Sequence, residues 1–260
     1  AAARFKRDMG SSEKYPINGQ DFSPTQLSSF VLKKLAAFAA NSVGEVGEAV
    51  VTIPANFAHE ARDATMEAAK MAGLNIKYII NEPTAAALFY AFKSGEELGG
   101  VYAVYDLGGG TFDVSIIRVD GHDVEVLAAN GIHKLGGDDF DSALQELVRS
   151  KFKEATGGDL ESDDFTKNEA EEEKKALSKR KNVTCRVARQ MIDVSRTEFE
   201  ELISTYITQA EMLCEATIDE AGITTSDING VFLAGGSTRI PLVNESVTKV
   251  FGQEPVSTVN

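Results

Sequence analysis

Residues Tyr102–Arg118, YAVYDLGGGTFDVSIIR, contain two apolar runs separated by three consecutive glycines. The first run is apolar and aromatic, whereas the second alternates between apolar and polar residues, as a half-buried strand does. Between them, backbone N–H groups can approach an anion closely because glycine has no Cβ atom. The segment therefore predicts a β-hairpin whose turn binds phosphate, although three glycines alone are equally typical of an ordinary turn.

Polar side chains flank this predicted turn. Asp106 and Asp113 stand on either side of the glycines, and Thr111 adds a hydroxyl directly after them. Proteins hold Mg²⁺ through one or two carboxylates while leaving it several of its waters. Asp106 is accordingly a candidate to hold a hydrated Mg²⁺ beside a bound phosphate.

A second glycine pair occurs in residues 231–241, VFLAGGSTRIP. An apolar strand is predicted to deliver Gly235 and Gly236 to a helix N-terminus, where free N–H groups and the helix dipole favour anions. Ser237 can hydrogen-bond a ribose or phosphate, and the Arg239 guanidinium can stack on a base or pair with phosphate. This motif alone is as typical of a packing turn, but the two turns together predict two lobes that close on one nucleotide.

Two common nucleotide-binding patterns are missing from the sequence. The chain contains no G-x-x-x-x-G-K-[ST] segment, and its three consecutive glycines lead into a strand, whereas a dinucleotide-binding loop leads into a helix. These differences favour a fold that binds phosphates with hairpin turns.

The composition limits the class of protein. The chain has 260 residues, which is enough for one large domain or two lobes. Its net charge of −14 argues against general binding to nucleic acid or anionic membranes. No run approaches the roughly 20 apolar residues of a membrane span. Cys185 and Cys214 have no metal-binding spacing and are expected to be reduced thiols, which predicts a cytoplasmic or other reducing, soluble compartment.

Strand-like and helix-like segments alternate along the chain, which predicts an α/β fold with ligands bound at strand ends. Ser23 and Gln26 are expected to cap the first long helix. Thr197 and Glu200 form a second capping-box pattern, at the start of another long helix. Residues 168–181 are expected to form a solvent-facing, highly charged helix.

Three motifs together resemble the nucleotide-binding domain of Hsp70 chaperones, within the superfamily of actin and the sugar kinases. They are NEPTAAA at 81–87, DLGGGTFDVS at 106–115 and LAGGSTRIP at 233–241. The resemblance extends from about Phe5 to Asn260. It implies an α/β, actin-like (ribonuclease H-like) ATPase fold with two lobes around a nucleotide cleft.

The resemblance also implies a division of the chain. Residues 1–96 would be the remainder of lobe I, without its N-terminal strands. Residues 97–224 would form lobe II, with the phosphate hairpin and an adenosine-binding helix. Residues 225–260 would contribute the second phosphate and adenosine turn and the start of a closing helix.

Catalytic roles follow from the same resemblance. Lys6, in FKRDMG at 5–10, corresponds to the lysine that acts on the γ-phosphate and the attacking water. Glu82 corresponds to a glutamate that orders Mg²⁺ and water, and Asp106 to an aspartate that positions metal and water. The implied catalytic set is Lys6, Glu82, Asp106 and Thr111, with Asp106 and Glu82 holding the metal through water.

The implied nucleotide site combines the two glycine turns with a helix that holds ribose and adenine. Lys175 of that helix replaces an arginine found in many members of the family, which would weaken stacking on adenine. The implied cofactor-binding residues are Gly108, Gly109, Gly110, Thr111, Glu171, Lys174, Lys175, Ser178, Gly235, Gly236, Ser237, Arg239 and Ile240. The expected ligands are ATP or ADP with Mg²⁺, and K⁺ as a further candidate ion.

Partners are likewise implied by the resemblance. Pro54 and Arg62 match residues that relay the nucleotide state to the rest of the chaperone. A J-domain co-chaperone and a nucleotide-exchange factor are expected, but Tyr78 replaces a basic residue on the J-domain surface, which puts that contact in doubt. Client peptides would bind only through a separate domain, and neither nucleic acid nor membrane is expected as a partner.

The chain departs from the family pattern at both ends. The family's first phosphate loop is missing before Lys6, the last aspartate of the lobe is missing after Asn260, and no linker, β-sandwich or lid follows. The chain is therefore expected to be a piece of a longer protein or a form without these parts. Besides an ATPase, two alternatives remain: a nucleotide-binding regulator or atypical Hsp70-like protein without efficient hydrolysis, and a sugar kinase of the same fold.

Overall fold

The computed structural model describes residues 2–95, 98–121, 123–161 and 163–256. The chain divides into two compact units, Ala1–Glu96 and Glu97–Asn260. Helices and strands occur in both units, so the predicted α/β class is confirmed.

Within its described residues, the first unit contains two small sheets and three helices. A 3-10 turn at Phe5–Asp8 comes first, followed by β1 (Tyr15–Ile17), β2 (Gln20–Phe22), α1 (Pro24–Val43), β3 (Ala49–Ile53), α2 (His59–Met71), β4 (Ile76–Asn81) and α3 (Glu82–Ser94). Strands β1 and β2 pair antiparallel, and β3 and β4 pair parallel.

Helix α1 begins as the sequence predicts. The Ser23 hydroxyl accepts a hydrogen bond from the Gln26 backbone N–H, and the Gln26 side chain accepts one from the Ser23 N–H, which completes a capping box. Leu27 is buried, whereas Leu35 and Phe38 on the same apolar stripe remain exposed.

The part of the second unit that the structure describes contains one four-stranded sheet, a hairpin and four helices. Its elements are β5 (Gly99–Leu107), β6 (Phe112–Asp120), β7 (Asp123–Ile132), α4 (Gly137–Thr156), α5 (Lys167–Leu177), β8 (Asn182–Val187), β9 (Gln190–Ser195), α6 (Arg196–Glu220), β10 (Ile228–Ala234) and α7 (Pro241–Phe251). Short 3-10 turns occur at Thr225–Asp227 and Gly236–Arg239.

The strand order of the large sheet brings the two glycine turns together. The order is β10-β5-β6-β7, with β10 parallel to β5 and the other pairs antiparallel. In the parallel pair, Ala234 lies opposite Asp106. Because neighbouring parallel strands end at the same edge of a sheet, the turn after β5 and the turn after β10 lie side by side.

A single apolar core supports this edge of the sheet. Phe112 of β6 and Phe140 of α4 are fully buried in it, together with Phe199 of α6. The core therefore connects the sheet to the two long helices that pack against it.

Two predicted helix boundaries are wrong. The cap of α6 is Ser195 with Glu198, two residues before the expected pair of Thr197 and Glu200. Helix α5 ends at Leu177, short of residue 181, because the chain turns there into the hairpin β8–β9. That helix is not wholly solvent-facing either, since Ala170, Lys174 and Leu177 are buried.

The glycine pair after β10 also differs from its prediction. Gly236 begins a 3-10 turn that continues to Arg239, and α7 begins only at Pro241. The glycines therefore do not lead directly into the N-terminus of a helix.

Candidate functional site

The turn between β5 and β6 is the centre of the candidate site. Asp106 and Asp113 lie opposite each other in the register of the two strands. The Gly108 N–H donates to the Thr111 carbonyl at 3.1 Å and closes the turn. The predicted glycine hairpin is thus present, with a carboxylate on each strand beside it.

Backbone hydrogen bonds fasten this turn to the start of α4. The Gly137 N–H donates to the Gly108 carbonyl at 3.0 Å, and the Asp138 N–H donates to the Gly109 carbonyl at 2.7 Å. The Ser237 hydroxyl also donates to the Gly108 carbonyl, at 2.9 Å. Three segments from different parts of the sequence therefore meet at one turn.

Glycine is required for steric reasons at two positions where the turns pack together, Gly136 and Gly235. A Cβ atom on Gly136 would lie 2.7 Å from the Gly109 carbonyl carbon, too close for real atoms. A Cβ on Gly235 would lie 2.3 Å from the Leu107 carbonyl oxygen, and its φ of +85° is in the left-handed region. These two glycines allow the turns to pack together.

Gly109 and Gly236 are different, because both face open space. No described atom lies within 4 Å of a Cβ placed on either residue, and neither has a φ in the left-handed region. Their backbone is accessible from the pocket without a side chain in the way, which is the arrangement that phosphate binding requires.

A pocket of about 400 Å³ opens beside the turns, a volume typical of small-molecule sites. It is lined by Gly109, Gly137, Asp138, Asp141, Glu171, Lys174, Lys175, Ser178, Lys179, Gly236, Ser237, Arg239 and Ile240. All these residues belong to the second unit.

Nine of the thirteen predicted cofactor-binding residues line this pocket. They are Gly109, Glu171, Lys174, Lys175, Ser178, Gly236, Ser237, Arg239 and Ile240. Gly108, Gly110, Thr111 and Gly235 lie in the adjoining turns and not in the lining.

Four lining residues were not anticipated from the sequence. Gly137, Asp138 and Asp141 belong to α4, and Lys179 follows α5. The glycine pair at the start of α4, which resembles the consecutive glycines of the other two turns, was the available signal. Gly137 and Asp138 are the first residues of α4, so the N-terminus of α4 faces the pocket. The positive end of a helix dipole at the pocket therefore belongs to α4 and not to α7, the helix after the second glycine turn.

The pocket has a local excess of positive charge in an acidic chain. Four lysine or arginine residues and three carboxylates line it, whereas the whole chain has a net charge of −14. Lys175 lies 2.9 Å from Glu171 and 2.9 Å from Glu172. Its hydrogen bond lowers the pKa of Glu171. The side chains of Lys175, Glu171 and Glu172 are all well exposed, so these ion pairs add little to the stability of the fold.

Lys174 is buried in the pocket wall. Its ammonium forms an ion pair with Asp141 at 2.6 Å and donates a hydrogen bond to the Gly137 carbonyl at 2.9 Å. Burial raises the pKa of the Asp141 carboxyl, and Lys174 opposes that rise. Ser178, one turn further along, directs its hydroxyl to the Lys174 carbonyl at 3.3 Å.

Two predicted catalytic residues form a contact within the first unit. The Lys6 ammonium lies 3.0 Å from a carboxylate oxygen of Glu82, with side chains 58% and 22% exposed. Lys6 is in the 3-10 turn near the N-terminus, and Glu82 is the first residue of α3. In the same unit, Pro54 is buried directly after β3 and Arg62 is half-buried on α2.

The residues present fit a nucleotide with a hydrated magnesium ion. Within the described ranges, no group of three or more His, Cys, Asp or Glu side chains is arranged to hold a metal ion by itself. Mg²⁺ bound to nucleotide phosphates keeps several waters and needs only one or two carboxylates. Asp106, opposite Asp113 at the base of the turn, provides that type of ligand.

Comparison with known proteins identifies the family. The family of Hsp70 proteins matches residues 6–260, which is nearly the whole chain. This chain belongs to the Hsp70 family. The actin-like α/β ATPase fold expected from the sequence is therefore confirmed for this Hsp70-family chain.

One curated relative shows how much of an Hsp70 protein the chain covers. The chaperone protein HscA homolog of Histophilus somni (strain 129Pt) is 43% identical over 239 residues. The matched segment is 92% of this chain and 38% of the relative. The chain thus spans about two fifths of the length of that chaperone. Among the described helices, none has the length and hydrophobicity needed to cross a membrane.

Proposed function

We propose that this chain is the ATP-binding and ATP-hydrolysing part of an Hsp70-type chaperone. The pocket is the observation on which the proposal rests. Residues from the β5–β6 turn, α4, α5 and the turn after β10 converge on one cavity of suitable size. Membership of the Hsp70 family supports a nucleotide as the ligand.

The nucleotide would lie with its two ends in chemically different parts of the pocket. Ribose and adenine would contact Glu171, Lys175 and Ser178 on one side and the Arg239–Ile240 segment on the other. The phosphates would approach Gly109 and Gly236, which are exposed and have no side chain. The positive end of α4 favours negative charge at the same place.

Hydrolysis would depend on positioning and electrostatics, with no covalent intermediate on the protein. We assign Lys6 to the γ-phosphate and the attacking water. Its ion pair with Glu82 restricts the lysine side chain and supports this assignment. Asp106 and Glu82 would hold Mg²⁺ through water, and the ion would neutralise charge on the phosphates.

In the whole chaperone, the nucleotide state would control client binding in a separate domain. Pro54 and Arg62 would transmit that state, and a J-domain protein and a nucleotide-exchange factor would act as partners. Tyr78 is exposed on β4, so a partner can reach it. A basic residue is not far away, because the Lys77 ammonium lies 5.9 Å from the centre of the Tyr78 ring.

One alternative has an observation in its favour. The whole pocket belongs to the second unit, whereas Lys6 and Glu82 belong to the first. Nucleotide binding by the second unit without hydrolysis is therefore a second candidate function.

Calorimetric titration with Mg·ADP tests the binding proposal. We expect micromolar binding by the native chain and by Gly99→Asp, which adds a negative charge at the opposite end of β5, where a Cβ would meet nothing within 4 Å. Gly109→Asp places the same charge at the phosphate turn and is expected to abolish binding. Absence of binding by the native chain, or equal binding by Gly109→Asp, would reject the proposed site.

Turnover measurements separate the ATPase from the non-hydrolysing alternative. We expect Lys6→Ala to lower kcat for ATP hydrolysis by about 100-fold or more, the usual loss for a group that stabilises transition-state charge, with little change in the Kd for Mg·ADP. Lys77→Ala is the matched control, because Lys77 forms an exposed ion pair with Glu48 at the same 3.0 Å distance. Binding of Mg·ATP without turnover in the native chain would support the second candidate.

A further inference from the structure

The buried ion pair between α4 and α5 is unusual among the charged contacts of this chain. Asp141 is 3% exposed and Lys174 is 8% exposed. Most of the other ion pairs among the described residues have at least one clearly exposed partner. Burying two charges is costly, and such a pair often contributes less to stability than apolar residues of the same volume would. We therefore expect this ion pair to have a role besides stability.

The contacts of Lys174 connect the pair to the phosphate turn. Its ammonium donates to the Gly137 carbonyl, and the N–H of the same residue donates to the Gly108 carbonyl. The Ser237 hydroxyl donates to that Gly108 oxygen as well. One continuous series of contacts thus leads from Asp141 to both glycine turns.

Lys174 also already forms contacts with other residues of the pocket wall. An ammonium has three N–H donors, and Lys174 directs its charge to Asp141 and one hydrogen bond to Gly137. These two contacts leave less of the ammonium available to a nucleotide. The family resemblance implies that Lys174 contacts the ligand. In the structure, its ammonium instead contacts Asp141 and Gly137, which are themselves part of the pocket wall.

We propose that Asp141 is a positioning residue for nucleotide binding, which acts through Lys174 to hold the start of α4 against the phosphate turn. The carboxylate neutralises and orients the ammonium, and the ammonium fixes the Gly137 carbonyl. Gly137 and Asp138 then keep their hydrogen bonds to Gly108 and Gly109. The effect on nucleotide binding rests on the proposed function. The effect on the hydrogen bonds of Gly137 and Asp138 can be measured without a ligand.

Amide hydrogen exchange, measured residue by residue by NMR in the 260-residue chain, tests the structural part. In Asp141→Asn we expect the amides of Gly137 and Asp138 to exchange at least 10-fold faster, while amides in the β8–β9 hairpin keep their rates. Lys249→Met is the matched control, because it removes another ion pair between two helices of this unit, with Glu211 at 2.8 Å. It should leave the Gly137 and Asp138 amides unchanged.

Nucleotide titration of the same variants tests the consequence. We expect Asp141→Asn and Lys174→Met each to raise the Kd for Mg·ADP at least 10-fold. Lys174→Arg, which keeps the charge and the donors, should restore part of the affinity. A pair that serves only stability would lower the melting temperature and leave both the Kd and the amide exchange at Gly137 unchanged, and that result would overturn the proposal.

A double variant covers the case in which a single substitution prevents folding. Asp141→Leu with Lys174→Met replaces the ion pair by apolar residues, a change that proteins often tolerate, yet it removes the bond to the Gly137 carbonyl. Fast exchange at Gly137 in this variant supports positioning, and native exchange contradicts it. If the native chain does not bind Mg·ADP, the proposed function fails and the exchange rates alone decide the role of Asp141.

Discussion

At the scale of single residues, the glycines of the site have two separate functions. Gly136 and Gly235 are needed because a Cβ atom would collide with the backbone of the β5–β6 turn. Gly109 and Gly236 have room for a side chain and instead leave the pocket open. The sequence shows only consecutive glycines, so this difference could not be anticipated.

Substitution of Gly136 should separate packing from ligand access. We expect Gly136→Ala to lower the free energy of unfolding by about 1–3 kcal/mol, because the methyl group would force the Gly109 backbone to move. Its φ of 176° is extended, so backbone strain makes no contribution. Gly109→Ala should change the stability by less than about 0.5 kcal/mol. Urea denaturation of both variants measures the difference, and equal losses would contradict the steric explanation.

At the scale of elements, helix α6 shows how a neighbouring strand selects a cap. Ser195 with Glu198 and Thr197 with Glu200 both match the capping-box pattern. Ser195 pairs with Asn182 at the end of the β8–β9 hairpin, so the chain can enter the helix directly after it. This start also buries Phe199 and Ile203 in the core.

The position of this cap can be measured by alanine substitution. Ser195→Ala should cost about 0.5–2 kcal/mol, since the Glu198 N–H would lose its acceptor. Thr197→Ala, at the exposed position favoured by the sequence pattern, should change the stability by less than about 0.5 kcal/mol. A larger loss for Thr197→Ala than for Ser195→Ala would show that the helix begins where the pattern alone places it.

Glu198 should also make this helix start sensitive to acid. Hydrogen bonds from Lys151, at 2.5 Å, and from Ser195 lower the pKa of Glu198 from 4.5 to about 2. A lowered pKa in the folded state means that the stabilisation is present above pH 4.5 and is lost as the pH falls from 4.5 towards 2. In Glu198→Gln we expect a flatter dependence of stability on pH in this window, measured by urea denaturation at several pH values. An unchanged pH profile would show that Glu198 is not a source of the acid sensitivity.

At the scale of the whole molecule, an acidic chain presents a pocket with a local positive balance. The cations come from α5, the segment after it and the turn after β10, and the start of α4 adds the positive end of a helix. Local fields of this kind can attract an anion in spite of an unfavourable net charge. The arrangement depends on the strand order, which places the β5 and β10 turns beside each other.

Ligand binding at this pocket should stabilise the second unit against heat. A ligand at 100 times its Kd adds about 2.7 kcal/mol, which corresponds to about 5–11 °C in the melting temperature of a unit of this size. We expect this shift with Mg·ADP for the native chain and for Gly99→Asp, which adds a charge at the opposite end of β5. Differential scanning calorimetry should show no shift for Gly109→Asp, and an equal shift in that variant would place the ligand elsewhere.

Much of the fold and of the site could be predicted from local patterns. The β5–β6 hairpin, the Ser23 cap and most of the pocket residues followed from spacings of a few residues or from motifs that resemble the Hsp70 family. The α6 cap and the end of α5 were misplaced, because each depends on the β8–β9 hairpin, whose pairing is not visible in a local pattern. Asp141 was missed because nothing in its neighbourhood in the sequence indicates a lysine partner on the next helix.

The sequence by itself determined the class of fold, the family and the two glycine turns, since these depend on periodicity, capping and motifs within short segments. Only the tertiary structure decided which turns meet. The parallel pairing of β10 with β5 brings Gly236 beside Gly109, and the packing of α5 on α4 buries Lys174 against Asp141. Contacts between residues far apart in the chain depend on the packing of whole elements, which no single segment encodes.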